Sequence, residues 1–84
     1  MHIKLKVFAT LRDHLQASTG NKSEIDLDFD EEVTVLHVIE HHKLPKDMIH
    51  LALINGVYVA PDDLATSKLK EGDVLALWPP IAGG

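Results

Sequence analysis

Ile3, Leu5 and Val7 alternate with Lys4, Lys6 and Phe8. That period of two predicts a half-buried strand with its apolar side chains on one face. Leu11 and Leu15, four apart in Thr10-Leu-Arg-Asp-His-Leu, read as a short helix or turn, and Ser18-Thr-Gly-Asn-Lys-Ser reads as a loop. The alternation then resumes, with Ile25, Leu27 and Phe29 facing one way and Glu24, Asp26 and Asp28 the other. If the two strands pair antiparallel, Lys4 and Lys6 share an outer face with those acids, where opposite charges attract across the strands.

The period changes at Thr34. Its hydroxyl suits a helix N-cap, accepting from an orphan amide of the first turn. Val35, Val38, Ile39 and His42 follow at i, i+3, i+4 and i+7 on one helical face. Leu44-Pro45 predicts the end of that helix, because proline disfavours helical geometry in the residue before it. Leu51-Ala-Leu-Ile, Asn55-Gly56 and Val57-Tyr-Val form the strongest local signal. Asn-Gly accepts the positive φ of a type I′ turn, so a hairpin closes there. Pro61-Asp-Asp-Leu-Ala reads as a short helical turn or irregular chain, and Glu71-Gly72-Asp73 as a turn. Val74-Leu-Ala-Leu-Trp78 is a last strand, stopped by Pro79-Pro80, which lack ladder donors. The pattern predicts a single α+β domain over residues 1–84, four to five strands packed on one main helix.

Composition narrows the chemistry. The 84 residues include no cysteine, which removes thiol nucleophiles, thiolate zinc sites, disulfides and redox motifs together. Thirteen acids against eight bases give a net charge of −5, and nucleic acid demands a basic face. The opening Met-His-Ile-Lys-Leu-Lys lacks the apolar core of a signal peptide, and no stretch approaches the roughly 18 apolar residues of a membrane span. The expectation is a cytoplasmic domain with neither nucleic acid nor membrane as partner.

His37-Val-Ile-Glu40-His41 matches the H-x-x-E-H motif of zinc peptidases. Catalytic zinc needs a third protein ligand and an enclosed cleft. Since Val35, Val38 and Ile39 define the buried face, His37 and His41 point elsewhere. His37 and His41 read as surface histidines; the cluster they form with His42 can chelate metal adventitiously, and no functional metal site is expected. Ser18, Ser23 and Ser67 lack a G-x-S-x-G elbow, and the scattered glycines form no phosphate loop.

The tail is different. Pro79-Pro80 stiffen the exit from the last strand, and Ile81-Ala82-Gly83-Gly84 follow. Such an arm reaches about 20 Å when extended, and side-chain-free glycines can enter a channel too narrow for any Cβ. It would deliver one reactive group, the Gly84 α-carboxylate. Phosphoanhydride formation with ATP turns a carboxylate into an acyl-adenylate. A sulfur nucleophile then gives a thiocarboxylate, whereas a lysine amine gives an isopeptide.

Several further positions carry a family likeness: Val7-Phe8-Ala9 with Arg12, Thr34-Val35, Ile54-Asn55-Gly56, Val59, Leu69 and Gly72-Asp73. Above all there is the run Leu77-Trp78-Pro79-Pro80-Ile81-Ala82-Gly83-Gly84. On these the chain resembles the MoaD/ThiS family of ubiquitin-like sulfur carriers, and within it the small subunits of molybdopterin synthase. The resemblance implies a β-grasp fold with the first and last strands parallel at the sheet centre. Phe8 and Trp78 would then meet on the open face, both exposed by alternation, with Tyr58 as a neighbour.

The resemblance also implies roles. A ubiquitin-activator-like adenylyltransferase would use MgATP on Gly84, and a sulfur donor would complete the thiocarboxylate. The large subunit of molybdopterin synthase would receive the tail and present the pyranopterin precursor. The carrier itself would bind no cofactor and would not be catalytic alone. Gly84 is then the chemical residue and Gly83 gives access, while Phe8, Arg12, Tyr58, Trp78, Pro79, Pro80 and Ile81 bind partners. Trp78 stands where the family usually has an aliphatic residue or Phe. The alternatives are a modifier conjugated to lysines through Gly84, or a carrier for a tungsten or thiamine pathway. Lacking any thiol, such a carrier cannot hold sulfur as a side-chain persulfide and must hold it on its main-chain terminus.

Overall fold

In β1 (His2–Val7) the alternation buries Ile3, Leu5 and Val7 completely and leaves Lys4 and Lys6 half-buried. The computed structural model describes residues 1–8, 24–45, 47 and 49–79. The helix or turn expected at 10–15 and the loop at 18–23 lie outside the described residues. β2 (Glu24–Asp28) pairs antiparallel with β1, setting Lys4 opposite Asp26 and Lys6 opposite Glu24. The Lys4 ammonium stands 3.1 Å from the Glu24 carboxylate, and Lys6 stands 3.9 Å from it. The hydrogen bond to Glu24, then the charges of Glu24 and Asp26, hold the Lys4 pKa above its ordinary value.

Thr34 caps the helix as its position predicts. Its Oγ1 accepts from the His37 N–H at 3.1 Å and opens α1 (Val35–His41). Val35, Val38 and Ile39 are fully buried, so the 3.6-residue stripe is the face laid on the sheet. The helix ends before the expected Leu44-Pro45. Lys43 adopts φ 55°, its N–H donates to the Glu40 carbonyl at 3.0 Å, and the Leu44 N–H donates to the Ile39 carbonyl at 3.0 Å. This is a Schellman closure with lysine in the place glycine usually takes. Burial of Leu44 in the same core as Ile39 holds it there.

β3 (Leu51–Ile54) and β4 (Val57–Val59) form the predicted hairpin. Asn55 at φ 51° and Gly56 at φ 84° are the two left-handed residues that a type I′ turn requires. A 3-10 turn at Pro61–Asp63 follows. The next segment closes over the start of α1, with the Leu69 N–H donating to the Val33 carbonyl and the Val35 N–H to the Ser67 carbonyl. β5 (Val74–Trp78) then enters the sheet between β1 and β3. The strand order is β2-β1-β5-β3-β4, with β1 and β5 parallel and every other pair antiparallel. The central parallel pair is the β-grasp arrangement that the resemblance implies. Leu75 and Leu77 join Ile3, Leu5 and Val7 beneath α1 to make the core. No helix among the described residues is long and apolar enough to cross a membrane.

Candidate functional site

The parallel register of β1 and β5 pairs Val7 with Leu77 on the inner face. One residue further, Phe8 and Trp78 both turn outward. The Phe8 N–H donates to the Leu77 carbonyl at 3.1 Å, and the two rings stack with centroids 4.1 Å apart and planes 2° from parallel. On the other side of β5, Leu51 pairs with Trp78, and the Trp78 carbonyl accepts from the His50 N–H at 2.8 Å. Pro79 is buried. The end of β5 is thus held from both flanking strands. Gly83, Gly84, Pro80, Ile81 and Arg12 lie outside the described residues.

Two expectations need correcting. Phe8 and Trp78, predicted exposed, are half-buried because each ring covers the face of the other. Tyr58, predicted as their neighbour, shares the open face but belongs to the adjacent row. The register places it across Leu53 from Ala76, with β3 between its strand and β5. It is 55% exposed and makes no ring pair among the described residues.

The histidines are placed much as the helical face predicts. His37 and His41 are exposed, 6.2 Å apart with planes 18° from parallel. Phe29 meets both edge-on, at 5.8 and 5.7 Å, a bracket that no local sequence signal announces. His42 caps the helix, half-buried, and its Nε2 has no partner among the described residues. Burial, and then the neighbouring His41, lower its pKa. No group of three or more His, Asp or Glu side chains among the described residues is arranged to hold a metal ion. An open hollow of about 390 Å³ lies by Phe29, Val33 and His37 and shares no residue with the Phe8–Trp78 pair.

The arrangement fixes the end of β5 at buried Pro79 and sets a stacked aromatic pair beside it. The ThiS family model matches residues 5–84. The chain belongs to the ThiS family. Proteins of this ThiS family are small ubiquitin-like carriers that are not catalytic by themselves, and the β-grasp sheet is their fold.

Among solved structures, this ThiS-family chain is similar to SAMP1, a small archaeal modifier protein of Haloferax volcanii. The two share 25% identity over 100% of both chains, with a TM-score of 0.67. It is also similar to a Pyrococcus furiosus protein described as subunit 1 of molybdopterin converting factor. That likeness has 25% identity over 96% of this chain and 99% of that one, with a TM-score of 0.69. A chain from the Helicobacter pylori complex of molybdopterin-converting factor subunits 1 and 2 shares the fold at 16% identity, over 100% of both chains, with a TM-score of 0.60. No curated protein matches the chain in sequence.

Proposed function

We propose that this chain is the sulfur-carrying small subunit of a molybdopterin synthase, with Gly84 as its chemical residue. The observation that carries the reading is the family match through residue 84, which includes the Gly83-Gly84 end in the family pattern. The likeness to the Pyrococcus furiosus subunit supports the molybdopterin branch.

In this reading a carboxylate oxygen of Gly84 attacks the α-phosphorus of MgATP held by a ubiquitin-activator-like enzyme, and pyrophosphate leaves. A sulfur donor then displaces AMP from the acyl-adenylate, and the thiocarboxylate so formed donates sulfur to the pyranopterin precursor. The nucleotide belongs to the activating partner, and the reaction takes place in the cytoplasm. Phe8 and Trp78 present the aromatic surface on which the large subunit docks, while Arg12, Tyr58, Pro80 and Ile81 extend the contact; Pro79, expected to join them, is buried and anchors the exit instead. In Helicobacter pylori a chain of this fold belongs to the complex of subunits 1 and 2 of such a factor, which agrees with a docked carrier.

A second reading has its own support. The likeness to SAMP1 runs over the whole of both chains, and a modifier would pass the same adenylate to a lysine amine. One experiment separates them: incubation with the cognate activating enzyme, MgATP and sulfide, followed by intact-mass measurement. A mass gain of one sulfur-for-oxygen exchange, discharged by the large subunit, is expected. High-mass adducts with other proteins would instead establish the modifier. Full function after deletion of Gly84 would sink both. A carrier for a thiamine or tungsten pathway would form the same thiocarboxylate and differ in the acceptor that discharges it.

A further inference from the structure

Asn55 does more than turn the hairpin. Its Nδ2 donates to Asp73 Oδ1 at 2.9 Å, its Oδ1 accepts from the Val74 N–H at 2.9 Å, and its own N–H donates to the Val74 carbonyl at 2.9 Å. The other Asp73 oxygen accepts from the Lys70 N–H at 2.8 Å. A single carboxamide therefore ties the β3–β4 turn to the turn that opens β5. Asn-Gly is also the dipeptide from which a side-chain amide is most easily lost, because glycine offers a backbone nitrogen unshielded by any Cβ. Both residues are exposed, and nothing lies within 4 Å of where a Cβ would stand on Gly56.

We propose that Asn55 is a modification site, losing its amide through a cyclic imide with Gly56, and that its bonds to Asp73 and Val74 gate the loss. The Gly56 nitrogen attacks Asn55 Cγ: the N–Cγ bond forms, the Cγ–Nδ2 bond breaks, and ammonia leaves with the Gly56 amide proton. Water then opens the imide at either carbonyl, giving aspartate or its β-linked isomer. Water is the only co-reactant, and nothing is oxidised or reduced. In the latched side chain both polar atoms are held toward the β5 turn, so the attack waits until the carboxamide swings free.

The change runs one way. The Nδ2 donor is replaced by an oxygen facing the Asp73 carboxylate, and two like charges stand where a 2.9 Å hydrogen bond stood. The β-linked isomer also inserts a backbone atom into a two-residue turn whose geometry sets the strand register. Either product loosens β4 and moves Tyr58 from its place on the open face.

The test follows residue 55 by peptide mass spectrometry while the full chain is incubated at mildly alkaline pH, folded or in denaturing urea. Amide loss is expected to be about tenfold or more slower in the folded chain, since opening must break side-chain bonds that urea has already broken. Asp73→Ala is expected to speed the loss severalfold in the folded chain. If that variant does not fold, the comparison of folded and unfolded wild type decides alone. Equal rates folded and unfolded would overturn the gating. Asn55→Asp is expected to melt about 5–10 °C lower, and a melting point equal to that of the wild type would overturn the latch.

Discussion

The open face of the sheet has two unlike halves over one shared core. On β1 and β2 it carries Lys4 and Lys6 against Glu24 and Asp26, with His2 Nε2 3.3 Å from Asp26. Across β5, β3 and β4 it carries Trp78 under Phe8, then Leu51, Ala76, Leu53 and Tyr58. The charged half satisfies itself, because each lysine has a carboxylate within reach. The apolar half does not: its stacked rings remain half-buried and Tyr58 is more than half exposed. On the proposed function, affinity for the large subunit falls to the apolar half, where burial would remove aromatic surface from water. The charged half bears on solubility and approach.

Removing what both halves stand on breaks the comparison most severely. Leu77 is fully buried beneath β5, between the two halves. Leu77→Ala is expected to cost about 2–5 kcal/mol, the range for a buried leucine that leaves a cavity. Urea unfolding followed by far-UV circular dichroism measures it. Next in size is Trp78→Ala, expected to cost about 1–3 kcal/mol for lost burial and stacking. If the proposed function holds, it should also weaken binding to the large synthase subunit by more than about tenfold. Phe8→Leu isolates the stack, at about 0.5–1.5 kcal/mol. Calorimetry with the large subunit that found Trp78→Ala binding as wild type would break the assignment of affinity to this half.

How much of this was legible depended on the range of the interaction. The strand alternation, the Thr34 cap and the Asn55-Gly56 turn are local demands of backbone geometry, and the structure contains all three. The Phe8–Trp78 pair was legible only through the family resemblance, which implied two parallel central strands whose ends come together. The end of α1 was not, because Lys43 takes a left-handed conformation that sequence signals reserve for glycine or asparagine. Tyr58 was misplaced because its row depends on β3 lying between β4 and β5. The two turns joined by Asn55 and Asp73 were each visible as turns, but their union spans 18 residues.

Acid sharpens the comparison by acting on neither half. His42 sits at the end of α1, and burial lowers its folded-state pKa below the ordinary 6.5. The unfolded chain then binds the proton first, so stability holds above the unfolded value and falls as pH drops through it toward the folded value. A His42→Gln variant is expected to lose that part of the acid dependence. Melting curves at several pH values, with Trp fluorescence reporting on Trp78, would show the same loss whichever half is probed.

The smallest effect is expected on the charged half. Lys4→Ala removes the 3.1 Å contact with Glu24, and Lys6→Ala the weaker one at 3.9 Å. Both lysines and Glu24 keep their charged ends accessible to water, where an ion pair gains little beyond the cost of holding two long side chains together. Lys4→Ala should lower the urea midpoint slightly at low salt, and Lys6→Ala less. Both differences should vanish near 1 M salt, where the screening length falls to about 3 Å. The raised pKa of Lys4 has the same origin, so its stabilisation should persist through neutral pH and be lost as pH rises through the folded value. A Lys4→Ala loss that survived high salt, or that matched the loss from Phe8→Leu, would mean that the charged half supports the fold as strongly as the apolar half.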